Sequence, residues 1–592
     1  MRAGGEFALF DDDGGKVLLL SDWRRSLELA ASLDPAPVFA AIEAAAAGGD
    51  WIALAADYAL GASFEQAVAS ASRDRPVLRA SVFGHGQWLD TQQIRDFLGE
   101  ELAALPDDRR IAGIADLVPT LEEAKYTSQV RRIQRWIADG DCYQINLTFP
   151  LRFQLYGDPL ALYAALRERQ PVRYGGYLRT RDTAILSFSP ELFFARTGRR
   201  ILTRPMKGTA ARGATPQEDA ERRAALLASA KERAENIMIV DLLRNDLGRL
   251  ARPGKVRVEE LCQTEAYPTL WQMVSSVSAE VHDASLVEVF GALFPCGSVT
   301  GAPKIHAMRR IAEIEESPRG LYTGALGWLA PNGDCRFNVA IRTIEAWPDG
   351  RGVMGVGSGI VADAEPSQEY AECLLKGSFL TAFDPAFELL ETLRLEAGIY
   401  PLLSLHLDRL QSSARALGFT CVRATVTSAL AREAACRPSG VFRVRLTLAH
   451  AGSCHVHATP LTDDPGKSWK VVLATETLAA GDYLLRHKTT ARGRYDRALA
   501  TLANRPEVFD AIFLNDRGEV CEGARSNVFV ERGGVLLTPP LACGLLPGVM
   551  RRSLLESGRA VEQVLRIEDL LQASSLYVAN AVRGLMPASL QD

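Results

Sequence analysis

The change of sequence pattern at the Asp384-Pro385 step limits the possible folds more than any other feature of this chain. An Asp-Pro pair favours a turn, and a new succession of strand-like and helical stretches begins directly after it. The 592 residues are too many for one core, because compact domains hold roughly 150 residues each. We therefore predict two domains, over residues 1–384 and 385–592.

The composition excludes several classes of protein. Hydrophobic residues make up 47% and charged residues 23% of the chain, which is typical of packed globular domains. Lys and Arg number 67 against 72 Asp and Glu, and the resulting net charge of −5 argues against nucleic-acid binding, which requires a basic excess. No window approaches the ~18 consecutive apolar residues of a membrane span.

Two further observations indicate the compartment. An acidic run occupies the N-terminal stretch, where a signal peptide would carry its apolar core. The ten cysteines form no CxxC pair, so reduced thiols are expected rather than a disulfide framework or a zinc ribbon. The prediction is a soluble, cytoplasmic enzyme that binds neither nucleic acid nor membranes.

Periodicity along the chain indicates a mixture of helices and strands, and hence an α/β or α+β fold class. Apolar positions spaced as on an amphipathic helix follow Tyr126 and end at Gly140. Helices are also predicted over roughly 216–247 and 367–379, with β-rich, glycine-punctuated runs between them. After residue 385 we predict a helix over 403–417, a strand pair in FRVRLTLAH and SCHVHATPL, and a linker between two lobes in TDDPGKS (462–468).

Several charged residues of the first stretch stand in settings that a core would not favour. Lys207 precedes a glycine in PMKGT, and Glu191 interrupts the apolar run SPELFF. Helical spacing places other charged side chains on shared faces: Glu232 with Glu235, and Glu369 with Glu372 and Lys376. Taken singly, the lysine and the helical carboxylates are more typical of solvated surface, and a water-facing strand position explains Glu191 equally well.

Taken together and in order, these segments resemble the motifs of one enzyme family. Chorismate-utilising enzymes carry motifs similar to GDCYQINL, SPELF, RPMKGTAARG, ERAENIMIVDLLRNDLGRL, GSVTGAPK, IRTI and GSGIVADAEPSQEYAECLLK, over about residues 115–383. The resemblance implies a sandwich of two large antiparallel sheets flanked by helices, with the active site between the sheets.

The resemblance also implies a role for each matched residue. Glu235 and Glu372 would hold Mg²⁺, with Glu232 and Glu369 close behind, because Mg²⁺ prefers carboxylate and water oxygens. Glu191 matches the acid that protonates the departing ring hydroxyl of chorismate. The substrate contacts that it implies are Gln144, Thr300, Gly301, Ala302, Arg342, Gly359 and Lys376.

Two positions indicate which reaction of the family to expect. Members that add water carry a lysine base where this chain has Gln144 in CYQIN. Anthranilate synthases usually have PIAGT, whereas Lys207 in PMKGT resembles the lysine with which aminodeoxychorismate synthases attack the ring before ammonia replaces it. The attacking amine must be unprotonated, which burial or nearby cations achieve. The chain shows no glutamine amidotransferase motif, so ammonia is expected from a separate amidotransferase subunit.

Lys488 stands among cations in YLLRHKTTARGRYDRAL, which taken alone is typical of a basic surface loop. Fold-type IV pyridoxal-phosphate enzymes carry motifs similar to the segments around it: ETLRLEAG, LSLHLDRLQSSARALGF, LNDRGEVCEGARSNVFV and LLTPPLACGLLPGVMRRSLLE. The resemblance covers nearly all of 385–592 and implies two α+β lobes with pyridoxal phosphate between them. Members of this group commonly dimerise, so a homodimer through this domain is a further expectation.

In this resemblance Lys488 binds the cofactor covalently and carries a proton, and Glu522 pairs with the pyridinium nitrogen so that the ring acts as an electron sink. Arg409 binds the phosphate with the N–H groups of a helix N-terminus, and Thr392 lies close to the reacting atoms. Further cofactor contacts are implied at Ser526, Asn527, Gly548, Val549 and Met550, and substrate carboxylate contacts at Asn580 and Arg583.

The two resemblances combine into one hypothesis, a bifunctional enzyme that converts chorismate into 4-amino-4-deoxychorismate and then into p-aminobenzoate for folate. Membership of fold-type IV does not by itself separate a lyase from an aminotransferase. The lyase is favoured because it consumes the product of the first domain. Two alternatives stay open: an anthranilate-type synthase with an unrelated aminotransferase-like tail, and a degenerate second half that binds a partner or stabilises a dimer.

Overall fold

The computed structural model describes residues 5–12, 14–31, 33–65, 75–267, 270–462 and 468–591. The chain packs as two units: one consists of Met1–Ala104, Val118–Phe153 and Leu162–Leu380, and the other of Leu105–Leu117, Gln154–Ala161 and Thr381–Asp592. The second unit therefore includes two short segments that precede it by more than two hundred residues, which a division into contiguous stretches does not anticipate. The domain limits 1–384 and 385–592 stay predictions.

Strands rich in apolar and β-branched residues dominate the chain up to residue 360. They are β1 (Phe7–Asp11), β2 (Val17–Ala30), β3 (Trp51–Ala56), β4 (Pro76–Leu89), β5 (Gly113–Pro119), β6 (Gln144–Tyr156), β7 (Gly176–Arg179), β8 (Ala184–Ser187), β9 (Leu192–Thr197), β10 (Arg200–Arg204), β11 (Met206–Ala211), β12 (Ala251–Ala266), β13 (Leu270–Val281), β14 (Gly301–Ala302), β15 (Ala325–Leu329), β16 (Cys335–Val339), β17 (Thr343–Ala346) and β18 (Arg351–Ile360).

Hydrogen bonds join these strands into one continuous sheet. The order of pairing is β12-β13-β10-β9-β16-β15-β3-β4-β2-β1-β7-β8-β17-β18-β6-β14, and β11 also pairs with β13. The predicted fold class is confirmed, and hydrogen bonds link into one continuous set the strands that the resemblance assigns to two large sheets. Shifts of register between β2 and β4 mark bulges, which bend long strands and so let a single sheet curve.

This topology brings distant motifs together at the start of β6. Gln144 is the first residue of β6, and Ala302 of β14 pairs directly with it. The strand β18, which contains Gly359, also pairs with β6. The motifs GDCYQINL, GSVTGAPK and GSGIVADAEPSQEYAECLLK thus meet along one strand.

The helices of the same part of the chain are α1 (Ala36–Ala47), α2 (Gly61–Phe64), α3 (Thr91–Ala103), α4 (Asp107–Arg110), α5 (Glu123–Ala138), α6 (Pro159–Arg169), α7 (Pro216–Ala228), α8 (Ala230–Gly248), α9 (Leu286–Leu293), α10 (Lys304–Ile314) and α11 (Pro366–Thr381). The prediction of one helix over 216–247 is wrong, because Ser229 has extended backbone between α7 and α8. Its hydroxyl accepts a hydrogen bond from the Glu232 N–H and caps α8, as serine commonly does. No helix in the described ranges has the length and apolarity needed to cross a membrane.

Aromatic side chains fill the core of the first unit between α1, α9 and the sheet. Phe39 of α1 lies 5.2 Å from Phe290 of α9, measured between ring centroids. Phe337 of β16 lies 5.3 Å from Phe290 and 5.1 Å from Phe194 of β9. All four rings are fully buried, so the two helices cover this part of the sheet.

After residue 385 the described part of the second unit contains two groups of strands and five helices. The strands are β19 (Leu389–Glu396), β20 (Val441–Leu448), β21 (Cys454–Pro460), β22 (Trp469–Leu473), β23 (Val508–Leu514), β24 (Val520–Gly523), β25 (Asn527–Arg532), β26 (Val535–Thr538), β27 (Ala560–Glu562), β28 (Ser575–Asn580) and β29 (Gly584–Leu590). The helices after residue 385 are α12 (Leu403–Leu417), α13 (Arg423–Ala435), α14 (Gly493–Thr501), α15 (Val549–Glu556) and α16 (Ile567–Leu571).

These strands form two sheets, which correspond to the two predicted lobes. The first is the antiparallel sheet β19-β20-β21, against which α12 packs. In the second, β24-β23-β22-β29-β28-β25 close into a ring because β24 also pairs with β25, while β26 and β27 continue from β25. Most of the predicted linker between the lobes, residues 463–467, lies outside the described residues.

The two early segments of the second unit take part in its core. Ala115 and Tyr156 belong to the same cluster of buried side chains as Leu389 of β19 and Leu446 of β20. The ring of Tyr156 lies 6.3 Å from that of Phe387. These early residues are therefore structural components of this unit and not a loose connection.

Candidate functional site

Gln144, Lys207 and Gly359 meet in the first unit. A Cβ atom built on Gly359 would lie 2.2 Å from Gln144 Nε2 and 3.5 Å from Lys207 Nζ, so the ends of both side chains lie close to the backbone at position 359. Gln144 is buried, and its Oε1 atom has no hydrogen-bond partner among the described residues. An unpartnered buried amide beside a lysine amine is suited to a polar ligand.

The amine of Lys207 is placed to act as a base or nucleophile. In the described part of the chain it has no hydrogen-bond or ion-pair partner, while Asn236 fixes its backbone by donating to Lys207 O at 3.4 Å. Burial lowers the pKa of Lys207, with the charge of Lys376 adding to the effect and nearby glutamates opposing it. The unprotonated amine is therefore more populated than in an exposed lysine.

Glu191 is buried and does not face water. Strand β9 begins only at Leu192, and Glu191 lies directly before it in irregular backbone, where it is 4% exposed. Ser298 Oγ donates a hydrogen bond to Glu191 Oε1 at 2.7 Å. Burial raises the pKa of Glu191 to about 7, although the Ser298 hydrogen bond and the Lys207 charge act against this rise. Sequence analysis missed Ser298, although it lies within GSVTGAPK.

The segment Thr300-Gly301-Ala302 packs beside Gln144. Gly301 has a φ of +139°, and a Cβ atom at this position would lie 2.2 Å from Gln144 O. Ala302 O accepts from Tyr143 N at 2.8 Å, whereas the Thr300 hydroxyl is bound to Cys296 O. The main-chain atoms of Thr300-Gly301-Ala302 therefore lie at the site, whereas the Thr300 side chain is engaged elsewhere.

Four carboxylates on α8 and α11 lie close enough to influence one another: Glu232, Glu235, Glu369 and Glu372. Burial raises the pKa of Glu232, and the charges of Glu235 and Glu372 raise it further. Burial also raises the pKa of Glu369, with Glu372 adding to it. Lys376 forms an ion pair of 2.8 Å with Glu372 and donates to Gly357 O, so its amine is not free.

These carboxylates fit a magnesium ion by their chemistry. No group of three acidic, histidine or cysteine side chains within the described ranges is close enough to hold a metal on its own. Mg²⁺ usually takes one or two carboxylates and fills its other positions with waters and substrate oxygens. A divalent cation would relieve the repulsion that raises the pKa values of Glu232 and Glu369.

Arg342 offers an unpaired guanidinium in the same unit. Its backbone has a φ of +49° and its oxygen accepts from Phe188 N, three residues before Glu191. Burial lowers the pKa of Arg342, and over the described residues its guanidinium has no hydrogen-bond or ion-pair partner. Tyr267 lies close by with an unpartnered buried hydroxyl, and sequence analysis did not identify it.

The second unit contains a cavity of about 760 Å³. Most of the residues predicted for the cofactor and its substrate line it: Thr392, Arg409, Lys488, Glu522, Ser526, Asn527, Gly548, Val549, Asn580 and Arg583. Met550 does not line it, because its side chain packs with Phe529 and Leu554, so only its backbone N–H is available near the helix start.

Lys488 is held at this cavity by its backbone. Its carbonyl oxygen accepts from Leu390 N at 2.8 Å, next to β19. In the part of the chain that the structure describes, its amine has no partner. Burial, together with the charges of Arg409 and Arg492, lowers the pKa of Lys488 to about 8, so a substantial fraction of the amine is unprotonated near neutral pH.

Glu522 lies on β24 with both carboxyl oxygens engaged. Tyr495 OH donates to Oε1 at 2.7 Å, and Leu546 N donates to Oε2 at 3.1 Å. Burial raises the pKa of Glu522 to about 7, whereas these hydrogen bonds and the Lys488 charge lower it. Tyr495 is a second residue that the sequence motifs did not indicate.

Arg409 is held by a buried carboxylate that sequence analysis also missed. Glu391, directly before Thr392, accepts from Arg409 Nε at 2.8 Å and Nη2 at 2.6 Å, and His406 Nδ1 lies 2.7 Å from the same carboxylate. Burial disfavours the charged form, but Arg409 and His406 hold the pKa of Glu391 at about 2. Glu391 therefore fixes the guanidinium, and only its remaining N–H groups can bind a ligand.

The first turn of α15 contributes backbone N–H groups that are suited to binding an anion. A Cβ atom at Gly548 would lie 1.9 Å from Asn527 Oδ1, so only glycine fits, and the N–H groups of Val549 and Met550 follow at the helix start. With the unpartnered Lys488 amine and the buried Glu522, these residues fit pyridoxal phosphate.

Two of the predicted residues make hydrogen bonds within the protein. Ser526 donates to Asp510, and Asn580 Oδ1 accepts from Val582 N and Arg583 N.

Comparison with known proteins agrees with both sites. Residues 50–382 match the family model described as chorismate binding enzyme, which is more than half of the chain. The chain belongs to the chorismate binding enzyme family. Residues 388–590 match the model described as amino-transferase class IV, so this family member carries a second domain of a different family. The predicted fusion of these two families is confirmed.

Two curated relatives each match less than half of the chain. Aminodeoxychorismate synthase component 1 of Bacillus subtilis is 43% identical over 255 residues, which are 43% of this chain and 54% of the relative. The Escherichia coli protein of the same name is 37% identical over 286 residues, 48% of this chain and 60% of the relative. The chain thus spans little more than half the length of these curated relatives.

A solved structure supports the fold of the first unit. The crystal structure of anthranilate synthase component I from Streptococcus pneumoniae superimposes with a TM-score of 0.54 at 24% identity, covering 61% of this chain and 91% of that chain. At this level of identity the likeness concerns the fold alone.

Proposed function

We propose that the chain makes p-aminobenzoate, the aryl part of folate, by two reactions at two sites. The first unit would aminate chorismate to 4-amino-4-deoxychorismate, and the second would eliminate pyruvate from it. The proposal depends chiefly on the unpartnered amine of Lys207 and the buried carboxyl of Glu191, which lie close enough to perturb each other's pKa. The relatives named aminodeoxychorismate synthase component 1 favour it over the anthranilate-type alternative.

In the first reaction Lys207 attacks the ring of chorismate while Glu191 protonates the departing hydroxyl. The two pKa shifts support these roles, because the amine must be unprotonated and the carboxyl protonated at the same pH. Ammonia then forms the new C–N bond and displaces Lys207. Gln144 and the backbone of Thr300, Gly301 and Ala302 would contact the substrate, and Arg342 and Lys376 would hold its carboxylates.

The metal in this proposal is Mg²⁺, bound by Glu235 and Glu372 with Glu232 and Glu369 behind them. When bound, it supplies positive charge that neutralises a substrate carboxylate. The four glutamates contribute oxygen ligands and, by their spacing on α8 and α11, limit where the carboxylate can sit.

In the second reaction the residues that line the cavity have different roles. Pyridoxal phosphate supplies an electron sink when bound. Lys488 would bind it covalently and, once released, move a proton at the substrate carbon that bears nitrogen. Glu522 holds a proton at the ring nitrogen, and Arg409 and the first N–H groups of α15 hold the phosphate, with Thr392 near the reacting atoms.

The proposal includes partners and a compartment. A glutamine amidotransferase subunit would supply ammonia, in keeping with the words "component 1" in the names of the relatives. The chain would act in the cytoplasm, where chorismate is available, and would form a homodimer through its second unit.

A coupled assay tests the whole proposal. The full chain, incubated with chorismate, ammonium, Mg²⁺ and pyridoxal phosphate, is expected to form p-aminobenzoate, measured by chromatography with fluorescence detection. Without pyridoxal phosphate the reaction should stop at 4-amino-4-deoxychorismate, and chelation of Mg²⁺ should prevent both products. Anthranilate as the aromatic product would contradict the proposal and support the anthranilate-type alternative.

A second prediction concerns the pH dependence of the first reaction. Because Glu191 must be protonated and its pKa is about 7, the synthase rate should fall as the pH rises through about 7. In the variant Glu191→Gln this decline should disappear and the rate should be about 10²–10⁴-fold lower throughout, which is the usual contribution of a general acid. A variant that kept both the rate and the alkaline decline would exclude Glu191 as the acid.

A further inference from the structure

The strand β20 directs two arginines into the cavity of the second unit. In VFRVRLTL, Val444 and Leu446 are buried in the core, so the alternate residues Arg443 and Arg445 lie on the opposite face. Arg445 stands directly across from Thr392 of β19 in the antiparallel pairing, and opposed residues share a face. Thr392, Arg443 and Arg445 accordingly all line the cavity.

Arg525, in the loop between β24 and β25, joins this pair from the other sheet. It lies directly before Ser526 and also lines the cavity. Burial lowers the pKa of Arg525, and the charges of Arg492, Arg443 and Arg583 lower it further, against the effect of Asp510. Arg492 also acts on the pKa of Lys488, so the arginines are continuous with the part of the cavity that contains the lysine amine.

These arginines lack the counter-charges that other arginines of the cavity possess. Within the described residues Arg443, Arg445 and Arg525 form no ion pair. By contrast, Arg494 is paired with Asp108 and Asp482, and Arg505 with Glu507. Asp510, whose charge acts on Arg525, accepts hydrogen bonds from Ser526 and from the Arg525 backbone instead of forming an ion pair with a described residue. Like charges held close together without counter-ions repel one another, and an anionic ligand would relieve that repulsion.

We propose that Arg443, Arg445 and Arg525 form a subsite that binds the carboxylates of a dicarboxylate amine, on the Thr392 side of the cavity. The inference rests on the proposed function, in which the second unit acts on an amine with two carboxylates. The cofactor phosphate would use the separate group of Arg409, Gly548 and Val549. An amine with a single carboxylate needs only one cation, so this set of arginines selects for the diacid. Guanidinium groups suit the task because they bind a carboxylate through two parallel hydrogen bonds.

The test uses the full chain loaded with pyridoxal phosphate, and two non-reacting probes that differ by one carboxylate, isophthalate and benzoate. Binding is followed by the change in cofactor absorbance. Isophthalate should bind at least about tenfold more tightly than benzoate, as expected for an added charge-assisted hydrogen bond. Arg443→Gln and Arg525→Gln should each abolish this preference, and Arg443→Lys should restore part of it. Arg505→Gln is the matched control, since it removes a cavity-lining charge that Glu507 already neutralises.

Three results would overturn the subsite. The first is equal binding of isophthalate and benzoate by the wild-type chain, and the second is an unchanged preference for isophthalate in the variants. The third is a loss of pyridoxal-phosphate affinity in the variants that parallels their loss of probe binding. The last result would assign the arginines to the cofactor. The Michaelis constant for 4-amino-4-deoxychorismate separates this proposal from the proposed function. Turnover of that substrate with an unchanged Michaelis constant in Arg443→Gln refutes the subsite alone. Failure of the wild-type chain to turn it over, with the probe preference intact, refutes the proposed function and leaves the subsite standing.

Discussion

Replacing Lys207 with alanine is expected to lower the formation of 4-amino-4-deoxychorismate by about two orders of magnitude or more, because the variant loses the amine that attacks the ring. The measurement is the rate of chorismate consumption with ammonium and Mg²⁺. Lys207→Arg should be equally inactive, since a guanidinium keeps the positive charge but does not deprotonate at neutral pH. The pair of variants therefore separates nucleophilic attack from simple charge stabilisation.

Two controls accompany this experiment. Lys255→Ala removes an exposed lysine that is paired with Glu280 and should leave the rate unchanged. Conversion of added 4-amino-4-deoxychorismate by the Lys207 variants should stay normal, because the second unit performs it. Near-normal synthase turnover in Lys207→Ala would show that the lysine is not the nucleophile, and full activity in Lys207→Arg would assign it an electrostatic role.

Replacing Lys488 with alanine is expected to abolish the lyase reaction and the absorbance of covalently bound cofactor together, because one amine serves for attachment and for proton transfer. The expected loss of rate is about three orders of magnitude or more. Absorbance spectra of the purified variant after incubation with pyridoxal phosphate, and p-aminobenzoate formation from added intermediate, measure the two effects.

The control for Lys488 is Lys470→Ala, which removes a lysine of β22 that does not line the cavity. Synthase activity should survive in both variants. If the wild-type chain itself shows no cofactor absorbance after incubation, the second unit is a degenerate module, and the alternative that treats it as a partner-binding or dimer-stabilising domain gains support.

Local sequence patterns predicted the structure correctly where an element is determined by residues close to it in the chain. The predicted helix over 403–417 has those bounds in the structure, because Gly418 adopts the left-handed conformation that ends a helix and glycine adopts it without strain. The strand pair of β20 and β21 was equally predictable from alternation and from the turn between them. The helix over 216–247 was wrong because a single capping serine outweighs a long run of helix-forming residues.

Properties that depend on distant segments were not predictable. Alternation allowed Glu191 to face water, whereas it is buried, its burial raises its pKa, and its hydrogen-bond partner Ser298 is 107 residues away. Likewise, the role of Glu391 as the partner of Arg409 and His406 appears only once β19 and α12 pack together. Arg443 and Arg445 were visible as alternate residues of a strand, but the sequence could not indicate that this face lines a cavity or that neither arginine forms an ion pair with another described residue.

The discontinuous make-up of the second unit has a consequence for how the protein is made. Ala115 and Tyr156 leave the ribosome long before Leu389 and Leu446, with which they share a core. Roughly 230 residues separate Tyr156 from Leu389. At the usual rate of protein synthesis, of about 5 to 20 residues per second, this separation is a delay of about 10 to 50 s. During that time these apolar side chains lack the partners that follow residue 385, so we expect other parts of the nascent chain or a chaperone to cover them. The first unit cannot be completed and released as an independent product without leaving part of its neighbour's core exposed.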